Sequence, residues 1–258
     1  MIVIAVPCAA RRLSGGIVGT KASTAALCLF VGAVAVGCAD AGSSAHTRTA
    51  EIRSADQLLN ETDRTMKTLT SVTFTTDVSS TDGSRRYASR VTTDLAHRCR
   101  MKAAWSQGAT MEQIRIGETD YIHPNGAYLE LWGRTTVPAM RHKPWLKSPA
   151  SAAKGADDLV DCAWPFSSFA EGKATTGDVT ELDGKPVVSV NVTEGVAEGG
   201  VYTFYIAAEG KPYLLRIDYR DPHHRTVRRF SGFNDRLDIQ PPAAADVLDL
   251  SSLPSNAS

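Results

Sequence analysis

The chain has 258 residues, with 28 Lys and Arg against 28 Asp and Glu and an aromatic content of 7%. That balance argues against nucleic-acid binding, which leaves a strongly basic footprint. The first 37 residues stand apart, with Arg11, Arg12 and Lys21 but no acidic residue. From Ala22 to Gly37 nearly every side chain is apolar or small. A basic start, a short apolar run and small residues at its end make a secretory signal. The run is shorter than the ~20 apolar residues that span a bilayer. Removing those three bases leaves 25 against 28 acidic residues, so the mature chain is slightly acidic. About 220 residues then remain, enough for one single-core domain.

Ala35-Val36-Gly37-Cys38 ends the leader and resembles the lipobox of bacterial lipoproteins. The resemblance implies cleavage before Cys38, a di- or triacyl group on its thiol, and a place on the outer face of the cell membrane. Several chains are needed, since a single acyl chain anchors only marginally. The other reading is a plain signal peptide or an anchor helix with an incidental cysteine. The leader is long for its class, and Val18 is a candidate start. Residues 38–53 follow as a polar, flexible tether, beginning Ala39-Asp40-Ala41-Gly42-Ser43-Ser44.

Cys8 and Cys28 leave with the leader, so Cys99 and Cys162 remain as an even pair in an oxidising compartment. Either they form a disulfide or they are two buried thiols. Neither has the spacing of a zinc site.

The ordered part starts with a helix. Ser54-Ala55-Asp56-Gln57 reads as a capping box, and Leu58, Leu59, Thr62, Met66 and Leu69 recur at helical spacing to about Thr68. From Ser71 the period becomes two: Val72, Phe74, Thr76 and Val78 alternate with Thr73, Thr75 and Asp77. Asp82-Gly83 is a hairpin signal, and Tyr87, Ser89, Val91 and Thr93 return. Strands are expected at Cys99–Trp105, Thr110–Ile116 and Asp120–His123. Short turns without intervening helices mean an antiparallel meander.

Pro124 to Asp161 differs, with four prolines besides Trp132 and Trp145, and reads as short helices and loops outside the sheet. A helix or turn in Asp157–Ser168 should carry Cys162 to the sheet. Strands resume at Thr175–Leu182, Pro186–Thr193, Val201–Ala208, Tyr213–Arg220 and Val227–Phe233, with Asp183-Gly184 and Glu209-Gly210 as turns. Pro241-Pro242 ends the sheet, Asp246–Leu250 is a last apolar segment, and residues 251–258 form a loose tail.

Several phrases are familiar in this order: Ile114-Arg115-Ile116-Gly117-Glu118-Thr119-Asp120-Tyr121-Ile122, Trp145-Leu146-Lys147, Asp183-Gly184-Lys185-Pro186-Val187, Glu209-Gly210-Lys211-Pro212-Tyr213, and Phe230-Ser231-Gly232-Phe233-Asn234-Asp235. Together they resemble the LolA-like lipoproteins of actinobacteria, the group of LppX- and LprG-type proteins, over residues 54–250. The resemblance implies an α+β fold: one curved antiparallel sheet of about ten or eleven strands, an incomplete barrel with helices over its concave face. It also implies an apolar cavity there that takes acyl chains. In similar sequences one cysteine lies in an early strand and one follows the insertion, as Cys99 and Cys162 do.

Candidate lining residues are Val72, Phe74, Met101, Trp105, Ile114, Tyr202, Phe204, Leu214 and Phe233. All nine would serve equally as ordinary core. His46, His97, His123 and His142 are scattered, and His223-His224 read as a solvated turn, so no metal or cofactor site is expected. Arg220, Arg225, Arg228 and Arg229 surround that turn, either as a solvated hairpin end or as contacts to membrane phosphates. Asp157-Asp158 read as helix-start or surface charges, and the sequon at Asn191 carries no meaning beside a bacterial lipobox. No catalytic motif occurs: G-x-S-x-G, H-E-x-x-H, P-loop and dinucleotide fingerprints are missing. The expectation is a non-enzymatic, membrane-anchored protein that binds a lipid or acylated ligand. The alternative is an interaction or sensor module with a packed interior and an envelope protein as its partner.

Overall fold

A computed structural model describes residues 53–152, 158–164, 166, 172–193 and 199–252. The leader, Cys38, His46, most of the tether and residues 253–258 lie outside the described residues.

Helix α1 spans Ala55–Lys67. Its capping box is formed in full: the Gln57 amide donates to Ser54 Oγ at 3.2 Å, and the Ser54 amide donates to Gln57 Oε1 at 2.9 Å. These bonds satisfy two backbone donors at the helix start and offer the chain a defined beginning. Lys67 and Asp63 pair one turn apart at 2.6 Å on the solvent side. Leu58, Thr62 and Met66 are buried on the other.

Twelve strands follow: β1 Val72–Ser80, β2 Arg86–Thr93, β3 Arg98–Trp105, β4 Thr110–Ile116, β5 Thr119–Pro124, β6 Trp145–Pro149, β7 Ala174–Leu182, β8 Lys185–Val192, β9 Val201–Ala207, β10 Leu214–Arg220, β11 His224–Ser231 and β12 Val247–Asp249. They form one sheet in the order β12-β6-β5-β4-β3-β2-β1-β11-β10-β9-β8-β7. Every pairing is antiparallel except β12 with β6. The curved sheet stays open, because its edge strands β7 and β12 do not meet. Two meanders are joined through β1, which pairs β2 on one side and β11 on the other. The Asp183-Gly184 hairpin turn has φ of +51° and +76° at its two residues. That backbone gives the twist two-residue hairpins need, and Asp and Gly tolerate it.

One expectation fails in the proline-rich stretch. A short helix α2, Gly126–Leu131, and a 3-10 turn at Pro138–Arg141 are present, but Trp145–Pro149 is strand β6 and not loop. Proline is excluded only where a ladder needs its N–H. Here Pro144 and Pro149 sit just before and at the end of the strand, leaving the residues between them free to pair with β5. The last apolar segment becomes β12, with Leu248 beside Leu146.

Facing partners in a sheet share a side, so the register sorts the residues by face. Val72, Phe74, Val91, Met101, Ala103, Met111, Phe204, Ile206 and Phe230 lie on one face and join Leu58 and Met66 of α1, and Leu69 just beyond it, in a single core. The opposite, outer face carries Thr75, Arg90, Arg100, Lys102, Glu112 and Arg229.

Candidate functional site

The segment containing Cys162 crosses the core face and is held there by polar bonds and a covalent one. Gln113, on β4, is fully buried. Its Nε2 donates to the Val160 carbonyl at 3.2 Å, and its Oε1 accepts from the Val160 amide at 2.9 Å. The same Nε2 donates to Asp120 Oδ1 at 2.9 Å. Asp120 has no exposed surface and takes two further bonds from Arg115, both 2.7 Å. That fork pushes the Arg115 guanidinium above its ordinary pKa. Thr93 Oγ1 donates to the Cys162 carbonyl at 2.6 Å, and Cys162 is disulfide-bonded to Cys99, their Cα atoms 5.2 Å apart. A buried ion pair is costly to form and costlier to break, at about 3–5 kcal/mol when one partner is removed. The network therefore fixes where this strap lies more than it adds net stability. No helix forms among residues 158–164; a bend carries Cys162.

Pinned so, the strap brings aromatic rings onto the sheet. Trp164 lies 4.9 Å from Phe74, and Phe166 lies 6.2 Å from Phe230, centroid to centroid. From β2 to α2 a second row runs Tyr87–Trp105–Tyr128–Trp132, with spacings of 5.2, 5.3 and 6.2 Å. Across β9 and β10, Tyr202 meets Tyr219 at 4.6 Å and Phe204 at 5.9 Å. Coverage of this face is uneven. The rings nearest the start of β1 are buried, whereas Tyr87, Trp105, Trp164, Tyr202, Ile217 and Tyr219 are half-buried. Burial raises the phenol pKa values of Tyr87 and Tyr202, which keeps both hydroxyls neutral.

Within this aromatic surface stands a cation. Arg228 shares the core face with Phe230, because both are two-residue steps along β11 and both face core positions of β1. Its Nε donates to Thr76 Oγ1 at 3.0 Å. Its guanidinium carbon lies 4.4 Å from the Trp164 ring centre and 5.6 Å from that of Phe74. Burial lowers its pKa to about 10, so it remains charged at neutral pH. Cation–π contact returns about 2 kcal/mol at a desolvated site, less than the several kcal/mol that removing an ion from water costs. Among the described residues no carboxylate is ion-paired with it, although Asp158 and Asp221 interact with the flanking Tyr87 and Tyr202.

Of the nine lining candidates, Val72, Phe74, Met101, Phe204 and Leu214 are buried in the core, and Trp105, Tyr202 and Phe233 pack partly buried against it. Ile114 is a correction. It faces Arg100 and Tyr121, which places it on the outer side although it is 4% exposed. Beside Met111, the inward positions of β4 are Gln113, which bonds the strap, and Arg115, which bonds Asp120, and apolar spacing alone cannot reveal them. The arginine group divides in the same way. Arg229 is exposed and bonds Asp77 at 3.2 Å, and Arg225 is exposed, while Arg228 turns inward. Of that cluster Arg228 alone is placed against the core-face rings, and its step of two from Phe230 is the signal for it in the sequence. The Asp221 carboxylate caps the amides of His223 and His224 at 2.7 and 2.6 Å.

A groove of about 670 Å³ lies on the outer face, floored by Thr75, Ala88, Ala104 and Thr110 and flanked by Arg90, Lys102 and Glu112. Small side chains flanked by long charged ones leave this trough. Glu112 answers both Arg100 and Lys102 there. Among the described residues no group of three or more His, Cys, Asp or Glu side chains could hold a metal ion. None of the described helices is long and apolar enough to cross a membrane.

No protein-family model and no curated protein matches the chain. It is similar to the solved structure of LprF from Mycobacterium bovis, with 15% identity, a TM-score of 0.45, and coverage of 73% of this chain and 97% of that one. For lipoprotein LppX of Mycobacterium tuberculosis the figures are 14%, 0.43, 71% and 98%. For a LolA superfamily protein from Nitrosomonas europaea they are 9%, 0.30, 72% and 94%.

Proposed function

We propose that this chain is an exported lipoprotein, held on the outer face of the cell membrane through Cys38, that binds a lipid or acylated molecule against the core face of its sheet. It performs no chemistry on that ligand. The observation that carries the reading is the half-covered aromatic surface. Five large side chains on the core face, Tyr87, Trp105, Tyr202, Ile217 and Tyr219, remain half-buried, as does Trp164 of the pinned strap that lies across it. An acyl chain gains about 0.8 kcal/mol for each methylene withdrawn from water. Ten methylenes offer roughly 8 kcal/mol before ordering costs, on the scale of micromolar affinity.

Organic extraction of protein purified from its own membranes, followed by mass spectrometry, tests the reading. It predicts a stoichiometric amphiphile; repeated recovery of none overturns it. The anchor has a separate test. Cys38→Ser should leave the membrane fraction, and equal retention with the leader removed as before rejects lipidation.

A second reading has one observation in its favour. Edge strand β7 is mostly exposed, and Val179 on it shows 65% of its surface. An unpaired edge can accept a strand from another protein, as an envelope sensor or interaction module would. Crosslinking in intact cells that yields one dominant protein partner, with no lipid recovered, favours this reading over the first.

A further inference from the structure

Arg228 is the feature that simple core packing does not explain. A strand position facing Phe74 and Trp164 would suit an apolar residue, and leucine or methionine would fill it without desolvating a charge. A guanidinium carries five N–H donors. One reaches Thr76, and for the others the described residues supply no hydrogen-bonded acceptor. The residue is part-buried, and its terminal nitrogens are not among the described side-chain atoms that are sealed from solvent without a partner. The hydroxyl-bearing rings of Tyr87 and Tyr202 lie close enough to interact with its charge. A planar cation with free donors, framed by neutral phenols and apolar rings, matches a carboxylate or phosphate joined to an acyl chain.

We infer that Arg228 is the anchor for the anionic group of an amphiphile whose chain lies along the aromatic core face, so that the site selects acidic over neutral lipids. This rests on the ligand-binding reading above and names the class of ligand. The anion replaces the missing counter-charge, and Thr76 and the Trp164 ring hold the guanidinium in plane to receive it. Binding would thus complete an electrostatic arrangement left open in the free protein. The polar anchor also sets direction, with the acid at Arg228 and the chain extending from it.

The test uses the full lipidated chain in phosphatidylcholine nanodiscs, with 9,10-dibromostearate and its methyl ester as quenchers of tryptophan fluorescence. Wild type should bind the acid about tenfold more tightly than the ester, the scale of one charge-assisted bidentate contact. Arg228→Met should weaken the acid to the level of the ester and leave the ester unchanged. Arg228→Lys should retain part of the preference, since a point charge replaces the fork. Equal acid binding in wild type and Arg228→Met, or no preference in wild type, overturns the inference while leaving hydrophobic binding intact. Quenching by neither probe above the level of random lipid mixing overturns both readings. Competition separates the sources of the anion: hexadecyl phosphate should displace dibromostearate, and displacement by inorganic phosphate at equal concentration would assign the site to a bare anion instead. Arg228→Met removes a desolvated charge, so retained folding is expected, and far-UV circular dichroism checks it.

Discussion

The covalent tie between Cys99 and Cys162 gives a prediction whose size follows from the chain itself. The bond closes a loop of 63 residues. In the chain-entropy model a loop of that length restricts the unfolded ensemble by about 14 cal/mol/K, or about 4 kcal/mol at 25 °C. For a domain of about 200 residues, each kcal/mol moves the melting temperature by roughly 2–4 °C. Cys99→Ala with Cys162→Ala should therefore lower it by roughly 8–16 °C. Both cysteines are almost fully buried, so lost side-chain packing moves the result toward the upper end. The Gln113 and Thr93 bonds to the strap survive in this variant, which should still fold. Calorimetry of the two proteins, with reduced wild type as a third sample, is the assay. Reduction alone should reproduce most of the shift. A decrease below about 2 °C would show that the strap is held by its polar contacts and that the loop is already restricted in the unfolded chain.

Two further outcomes follow from other contacts. Asp120→Ala strands the Arg115 fork and one bond of Gln113, so it should cost about 3–5 kcal/mol in urea unfolding; a cost under 1 kcal/mol would mean that Asp161, 3.6 Å from Arg115, takes over the pairing. On β12, the Lys147 ammonium 2.8 Å away and the Ser251 hydroxyl and amide hold the Asp249 carboxyl at about 2, below its ordinary 3.8. A depressed carboxyl stabilises above its unfolded value and loses that contribution as pH falls through its folded one. Protection of the β12 amides, taken relative to the intrinsic exchange rate at each pH, should thus fall between about pH 4 and pH 2. Lys147→Met should weaken this dependence, and equal protection across the window would contradict the sign.

Much of the scaffold was legible because its causes are local. The capping box at Ser54 and Gln57 marks the start of α1 to the residue, and period-two alternation places β4 at Thr110–Ile116. What escaped was set by partners distant in sequence. β6 is a strand because β5 offers an edge to Leu146 and Lys147, and the flanking prolines concealed it. β12 is three residues long and runs parallel to β6, a pairing that no turn announces. The apolar character of Ile114 suggests an inward position, but on β4 Gln113 and Arg115 share the inward places with Met111, and Ile114 faces out. Along the chain Arg228 is one of a cluster of arginines, yet alternation sends Arg229 to Asp77 on the outer face and Arg228 toward Trp164. Fold periodicity could be read from one segment at a time, whereas the site requires knowing which face each strand turns inward.

The measurement closest to the central claim maps where a fatty chain sits. Cells expressing the protein would be fed a diazirine-bearing fatty acid and irradiated, and the labelled peptides of the purified chain sequenced by mass spectrometry. Adducts should fall on the segments carrying Tyr87, Trp164, Tyr202 and Phe204, all on or packed against the core face. Label confined to the outer groove beside Arg90 and Lys102, or to the anchor alone, would contradict a ligand held against the core face.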